Sequence, residues 1–271
     1  VAGLDVRKSS TASKPCPLAA SREHSGQCQS NFKVTLSMID NFYAEFDEIM
    51  NLQKQIINSA GEKYNELLEN VEKNISETKY GTQNMYLGYF CPSLVMEKTV
   101  GGFKKGRLLN DIPKNKSGNY VVYDIDSEGK LLRMQDINSH GTIVETYIIR
   151  QNSTEFSVKF SDKKLTTYSG ATTRTKYEKG NLKRFDIIDN SSMWSEIYTY
   201  NSDNNQKIEC NKYYYVPTLI GSKKSIPIGA KGSPAQLFIM DIELDNQGKV
   251  IKIEHNEFID GQRVLTYIYK K

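Results

Sequence analysis

Hydrophobic positions follow two different spacings along the chain. From about Thr35 to about Lys79 they recur at alternating steps of four and three, which places them on one side of a helix. From Asn119 onwards, short runs alternate apolar and polar residues, and turns rich in Gly, Asn, Asp and Ser separate them. Such alternation is typical of strands that turn one face towards a core. The chain therefore divides into a helical part and a larger β part.

The apolar stripe of the helical part spans roughly five heptads. It comprises Ile39, Tyr43, Phe46, Met50, Gln53, Ile57, Ala60, Tyr64, Leu67 and Val71. Phe42, Ile49, Ile56 and Leu68 widen it, which favours packing on a sheet or a second helix of the same chain. Self-association of residues 39–71 as a coiled coil is the alternative. Gly61 costs about 1 kcal/mol relative to Ala inside a helix, so both one long helix and a helical hairpin fit the pattern.

The β part contains twelve candidate strands with no helical pattern between them. They cover 119–125, 130–137, 142–150, 154–160, 163–168, 173–179, 182–188, 194–201, 206–216, 236–244, 249–255 and 262–270. Without crossover helices, neighbouring strands are predicted to pair antiparallel. The predicted fold class is α+β: a long N-terminal helix or helical hairpin, followed by a large antiparallel β-meander that is open, rolled or barrel-like.

Four segments follow from these patterns. Residues 1–30 are predicted to be a flexible arm, 31–80 a helical segment, 81–118 a mixed connector and 119–271 the β-meander domain. In the arm, Cys16 and Cys28 either close a disulfide or remain free thiols. The connector contains a candidate strand at Met85–Phe90 and a Gly-rich basic stretch, Val100–Arg107, which is predicted to be a loop.

The composition and the residue spacing argue against several classes of function. The 36 basic and 32 acidic residues leave a net charge of +4, which argues against a dedicated nucleic-acid binder. No run of 18 apolar residues occurs, so no membrane span is predicted. The four cysteines do not have the spacing of zinc ligands. We predict no metal and no cofactor.

Catalytic patterns are equally scarce. No sequence around the three histidines resembles the site of an activated nucleophile. Carboxylates are plentiful, but most stand at strand ends and turns, where Asp stabilises chain reversals. A glycosidase needs only two carboxylates at a separation set by the fold, so a glycan-acting hydrolase remains an alternative. No catalytic residue is predicted, and the balance favours a protein that is not an enzyme.

One segment of the β part interrupts the strands. Residues 217–235 are too long for a hairpin loop, and loops of this length often carry function. The segment is basic and follows three consecutive tyrosines. The lone tryptophan is either a core residue or an exposed stacking residue. The predicted protein-contact site consists of Tyr213, Tyr214, Tyr215, Lys223, Lys224, Lys231 and Trp194.

Two stretches carry a family resemblance. Tyr123–Leu131 and Tyr177–Lys183 each contain a tyrosine, an acidic turn, a glycine, a basic residue and leucine. They resemble the tyrosine-aspartate repeats of bacterial toxin shells and the related β-repeats of immunity proteins. The resemblance covers about half of the chain, transfers no catalytic residue, and implies a β-meander scaffold in an exported or surface-associated bacterial protein.

Three functions are compatible with these observations. The first is an extracytoplasmic module, linked to toxin or immunity systems, that binds another protein. The second is the glycan-acting hydrolase, and the third is an assembly protein that oligomerises through residues 39–71.

Overall fold

A computed structural model describes most of the chain after the predicted arm. The described residues are 36–82, 88–99, 104–112, 119–141, 143–161, 164–165, 172–189, 191–201, 206–219, 223–226 and 228–271, with backbone only at 36–41, 143 and 164–165. The predicted arm with Cys16 and Cys28 lies outside them, as does part of the Gly-rich stretch at 100–107.

The helical part consists of two helices, α1 (Leu36–Gly61) and α2 (Tyr64–Asn74). The pattern fitted both one long helix and a helical hairpin, and the structure has two helices with the break at Gly61. The helical signal was expected to reach about Lys79. It ends earlier because Glu77–Thr82 is a strand that pairs with Tyr120–Ile125 over its full length, and ladder bonds to a long neighbour outweigh a weak helical preference.

Fourteen strands are seen among the described residues. Their bounds are β1 Glu77–Thr82, β2 Leu108–Leu109, β3 Tyr120–Ile125, β4 Leu131–Ile137, β5 Ile143–Gln151, β6 Thr154–Ser161, β7 Lys164–Leu165, β8 Thr172–Glu178, β9 Asn181–Ile188, β10 Met193–Tyr200, β11 Lys207–Tyr215, β12 Ala235–Leu244, β13 Val250–Ile259 and β14 Gln262–Lys270. Each of the twelve predicted strands appears, and β1 and β2 are additional. The strand expected at Met85–Phe90 is not seen in its described part, since Gly88–Phe90 is a 3₁₀ turn.

The strands form one open antiparallel meander. Thirteen of them follow the order β14-β13-β12-β11-β10-β9-β8-β6-β5-β4-β3-β1-β2, and β7 pairs beside β6. Glycines with positive φ stand in several of the turns that join the hairpins. In two of them Asp126 and Asp245 accept backbone N–H groups, and Gly129 and Gly248 take φ of 78° and 75°, a conformation that costs glycine little. The barrel alternative does not apply, because among the described strands β14 and β2 end the order without pairing with each other.

Helices α1 and α2 cover one face of the sheet, called here the helix face. The predicted stripe is the buried side: Tyr43, Phe46, Met50, Gln53, Ile57, Ala60 and Val71 are all buried. The N-terminal half of α1 packs on β9–β12, and its C-terminal half with α2 packs on β4–β6. The stripe therefore serves the chain's own core.

A polar network lies beneath α1 on the helix face. Asp186 is fully buried and accepts hydrogen bonds from Arg174 Nε at 2.7 Å, Arg184 Nε at 2.9 Å and Ser195 Oγ at 2.5 Å. Arg184 also reaches Glu45 of α1. The network joins β8, β9 and β10 to the helix through paired charges, and Arg184 Nη2 is its one buried nitrogen without a hydrogen-bond partner among the described residues.

The opposite face, called the connector face, packs on residues Gly88–Thr99. This segment contains the 3₁₀ turn and a short helix, α3 (Met96–Thr99). The Tyr89 amide donates to the Tyr123 hydroxyl of β3, and the Leu94 amide donates to the Tyr198 hydroxyl of β10, both at 3.2 Å. Because β3 and β10 are distant in sheet order, the sheet must curl for both to reach one segment. Among the described helices, none has the length and apolar character needed to cross a bilayer.

Candidate functional site

The pairing register of β10–β14 collects aromatic side chains on the connector face. Directly opposed residues share a face, and so do residues two apart on one strand. Three rows result: Trp194 with Tyr214 and Gln236; Glu196 with Lys212, Phe238, Glu257 and Val264; and Tyr198 with Cys210, Met240, His255 and Tyr267. We call the surface formed by Trp194, Tyr214, Phe238, His255 and Tyr267 the aromatic face.

The aromatic face is open to solvent at its outer side. Tyr214 of β11 is 40% exposed, and on β14 Tyr267 is 47% and Val264 42% exposed. Trp194, Phe238 and His255 are half-buried. The rings of Phe238 and His255 lie 5.2 Å apart, tilted by 33°. Large apolar groups left in water on one side of a sheet are a feature of contact surfaces.

A buried carboxyl group lies under the aromatic face. Glu196 is fully buried and accepts hydrogen bonds from Tyr198 Oη at 2.5 Å and Trp194 Nε1 at 3.1 Å. Ser93 of the connector segment is a further hydrogen-bond partner. Burial raises the pKa of Glu196, and the bonds from Tyr198 and Ser93 oppose that rise. These contacts fix the Trp194 ring on the sheet.

Lys212 is the cross-strand neighbour of Glu196. Its side chain is almost completely buried, and Nζ lies 3.6 Å from the Trp194 ring centroid and 5.4 Å from that of Phe238, both within cation–π range. Burial lowers the pKa of Lys212 to about 8, although the negative charge of Glu196 acts in the opposite direction. Burial also lowers the pKa of His255, and the charge of Lys212 adds to that effect.

A pocket of about 190 Å³ opens elsewhere on the connector face. Its walls are Phe90, Pro92, Gly129, Lys130, Leu131, Ile148, Arg150, Glu155, Thr175 and Tyr177. The Arg150 guanidinium donates to Glu155 at 2.8 Å and to the Leu131 carbonyl at 2.7 Å. Burial and the nearby Glu155 charge raise the pKa of Tyr177 to about 12, so this phenol stays protonated at neutral pH.

The connector segment lies between the pocket and the aromatic face. Phe90 and Pro92 line the pocket, while Ser93, one residue further, contacts Glu196. Gly88 permits the turn because its φ is 58°. The segment therefore lies between two sites that differ in character: the pocket holds the ion pair of Arg150 and Glu155, whereas the aromatic face holds the buried Lys212 beside the buried Glu196.

The structure places the predicted tyrosine cluster on both faces of the sheet. Tyr213 packs on the helix face with its ring 4.8 Å from that of Phe42. Tyr215 is buried there and donates to Asp47 Oδ1 at 2.7 Å. Only Tyr214 belongs to the aromatic face, together with Trp194.

The predicted basic segment, as far as it is described, packs on α1. Lys224 forms an ion pair with Asp47 of that helix. The Tyr43 hydroxyl lies 3.0 Å from Ser233 Oγ and donates to the Ile226 carbonyl. Lys223 and Lys231 are exposed. Part of this segment is thus a docking contact for the helix.

Sequence reasoning missed four members of the site: Lys212, Phe238, His255 and Tyr267. The alternation within β11–β14 shows which residues of one strand share a face. It does not show which face the helices cover or how neighbouring strands are aligned, because tertiary packing sets both. Among the described His, Cys, Asp and Glu residues, no group of three is arranged to hold a metal ion. Neither the protein-family models nor the curated proteins include a match to this chain.

Proposed function

We propose that this chain is a protein-binding module that holds its partner on the aromatic face. The observation that carries the proposal is the exposure of Tyr214, Val264 and Tyr267 on one side of the sheet. Tyrosine and tryptophan give large contact areas at a low entropic cost, and they dominate the energetics of protein interfaces.

The chemistry of the partner follows from the composition of the aromatic face. Glu257 and Gln236 flank the rings in the same rows, which gives an apolar centre with a polar margin, as interfaces have. A partner that presents apolar or aromatic side chains with hydrogen-bonding groups around them fits this surface. The proposed bacterial, exported and toxin- or immunity-linked setting rests on the tyrosine-aspartate resemblance alone.

The other two functions have less support. A glycan hydrolase requires two carboxylates across a cleft, and Glu155 is the single acidic residue among those that line the pocket, where Arg150 neutralises it. Assembly through residues 39–71 requires the stripe to leave the sheet, because Phe46, Met50 and Ile57 are buried in the core.

The proposal is tested by capture from a lysate with paired variants. Tyr214→Ser with Tyr267→Ser removes two rings from the aromatic face. Leu265→Ser with Ile268→Ser removes two side chains of similar exposure, 52% and 48%, from the helix face of β14. We expect the first variant to lose the captured protein and the second to keep it. Equal capture by both would contradict the proposal, with thermal unfolding confirming that both variants are folded.

A further inference from the structure

We propose that the pocket on the connector face binds a small free amino acid with an apolar side chain, through the paired charges of Arg150 and Glu155. The inference is independent of the partner protein proposed above, because the pocket and the aromatic face share none of their residues. It assigns a ligand class to a recess that the proposed function does not use.

The floor of the pocket is one row of cross-strand neighbours. Arg150 of β5 stands directly opposite Glu155 of β6, and Glu155 stands opposite Thr175 of β8. Directly opposed residues share a face of the sheet, so a cation, an anion and a hydroxyl group lie side by side. The connector segment adds Phe90 and Pro92 to the walls. The strands therefore present opposite charges at neighbouring positions of one recess.

The ion pair keeps hydrogen-bonding capacity for a ligand. Arg150 Nε donates to Glu155 Oε1 at 2.8 Å, and Arg150 Nη2 donates to the Leu131 carbonyl at 2.7 Å. A guanidinium has five N–H groups and a carboxylate has two oxygens, so these bonds leave Arg150 Nη1 and Glu155 Oε2 available. The two side chains are 28% and 30% exposed, and a small molecule in the pocket can therefore reach them.

Two hydroxyl groups stand beside the ion pair. Within the described part of the chain, no hydrogen bond reaches Thr175 Oγ1 or Tyr177 Oη. Thr175 is buried, yet its hydroxyl is not among the described polar atoms that are sealed from solvent without a partner. Since both residues line the pocket, their hydroxyl groups can donate to a carboxylate or accept from an ammonium group there.

The charges of the pocket favour a zwitterion. A ligand that carries only a carboxylate is attracted by Arg150 and repelled by Glu155, and a ligand that carries only an ammonium group meets the reverse. A free α-amino acid carries both charges, so each can meet its opposite in the same site. A peptide terminus carries only one of them. The third charged residue of the lining, Lys130, is already paired with Glu128 at 2.6 Å.

The size and the apolar walls of the pocket set the side chain of the ligand. A cavity of about 150 Å³ accepts a benzene ring, so the pocket of about 190 Å³ holds one ring or a branched aliphatic group. Leu131, Ile148 and the rings of Phe90 and Tyr177 surround this space, as apolar groups do in small-molecule sites. We therefore expect phenylalanine or leucine to bind, and glycine to bind poorly.

The test is a titration of the full ¹⁵N-labelled chain followed by nuclear magnetic resonance. The probes are L-phenylalanine, 3-phenylpropionate, which lacks the ammonium group, and phenethylamine, which lacks the carboxylate. We expect L-phenylalanine to bind with a Kd of about 1 mM or below and to shift the amide signals of Leu131, Arg150 and Thr175. Each analogue should bind at least about tenfold more weakly. Equal affinity for the three probes, or no shift of these amide signals, would overturn the proposal.

The variant Glu155→Gln separates charge recognition from shape. It keeps the size of the side chain but removes the charge that attracts an ammonium group and repels a lone carboxylate. The preference for L-phenylalanine over 3-phenylpropionate should therefore fall at least about tenfold. Glu209→Gln is the matched control, because its ion pair with Arg263 is exposed and lies on β11, outside the pocket. An undiminished preference in Glu155→Gln, or an equal loss in Glu209→Gln, would contradict the proposal.

Discussion

The buried charged residues Asp186 and Lys212 differ in how far neighbouring groups offset their charge. Asp186 has three hydrogen-bond donors from Arg174, Arg184 and Ser195. Lys212 lies against two aromatic rings, and the charge of Glu196 does not offset the cost of its burial. A hydrogen-bonded group of charges holds strands together, whereas a buried charge that is incompletely offset lowers stability.

Replacing Asp186 by Ala leaves two guanidinium groups near the core without their shared acceptor. We expect the free energy of unfolding to fall by about 3–5 kcal/mol, measured by urea denaturation. Glu209→Ala is the matched control. Its ion pair with Arg263 is 44% and 42% exposed, so the loss should stay below about 1 kcal/mol. Similar losses of unfolding free energy in the two variants would mean that the buried Asp186 network stabilises the fold no more than an exposed ion pair does.

Replacing Lys212 by Met should stabilise the protein in a pH-dependent way. The pKa of Lys212 is about 8 in the folded state against an ordinary 10.5. Below pH 8 Lys212 is protonated in both the folded and the unfolded state, so folding must bury its positive charge. Between pH 8 and 10.5 only the unfolded chain holds it, so the stability of the native protein rises with pH. The variant is therefore more stable by up to about 3 kcal/mol at pH 7.

The pH dependence supplies the check on that prediction. The advantage of Lys212→Met should shrink by roughly 1 kcal/mol between pH 7 and pH 9, measured by denaturant unfolding of both proteins. The pKa of His255 is lowered and that of Cys210 is raised well above its usual range, so neither group titrates in this window. If Lys212→Met exceeds the native protein in unfolding free energy by the same amount at both pH values, the ammonium group of Lys212 is not buried.

At the scale of elements, the segment between β11 and β12 is tied to the sheet through Gly229. Its φ is 81°, and a Cβ there would lie 2.0 Å from the Phe258 carbonyl oxygen of β13. Gly261 has a similar φ of 84° but faces open space. Gly261→Ala should cost about 1 kcal/mol, and Gly229→Ala at least about 2 kcal/mol more. Equal melting temperatures of the two variants would argue against this contact.

The stripe of α1 makes a second prediction about an element. Phe46 is buried against Tyr213 and Tyr215, with ring centroids 5.6 Å from each. Phe46→Ala should lower the free energy of unfolding by about 3–5 kcal/mol, whereas Leu52→Ala on the exposed side should change it by less than about 0.5 kcal/mol. If the loss at Phe46 depends on protein concentration, the stripe is an intermolecular seam.

The sequence predicted the type of most helices and strands, but not how each of them packs against its neighbours. The strands from Asn119 onwards were predicted because alternation acts locally, whereas the pattern around Gly61 fitted both one helix and two. Strand β1 was missed because Glu77–Thr82 has no alternating apolar face and owes its form to pairing with β3. Of the predicted contact residues, Trp194 and Tyr214 lie on the aromatic face, while Tyr215 lies behind it because consecutive residues of a strand alternate faces.

At the scale of the whole molecule, helices cover one face of the sheet except at β14, where Leu265 and Ile268 are exposed, and the other face is partly open. Helices α1 and α2 bury the helix face over β4–β6 and β9–β12. The connector segment covers part of the opposite face and leaves the aromatic face at its edge. We therefore assign stability to one side of the meander and recognition to the other. On β14, the consecutive residues Tyr267 and Ile268 face opposite sides.

The most direct measurement of that assignment is photo-crosslinking from two neighbouring positions. Tyr267 faces the aromatic side and is 47% exposed, and Ile268 faces the helix side and is 48% exposed. A benzophenone amino acid is placed at each position in turn, and crosslinked proteins in the lysate are identified by mass spectrometry. The account predicts a discrete crosslinked partner from position 267 that is absent from position 268. The same partner at equal yield from both positions, or from position 268 alone, would contradict it.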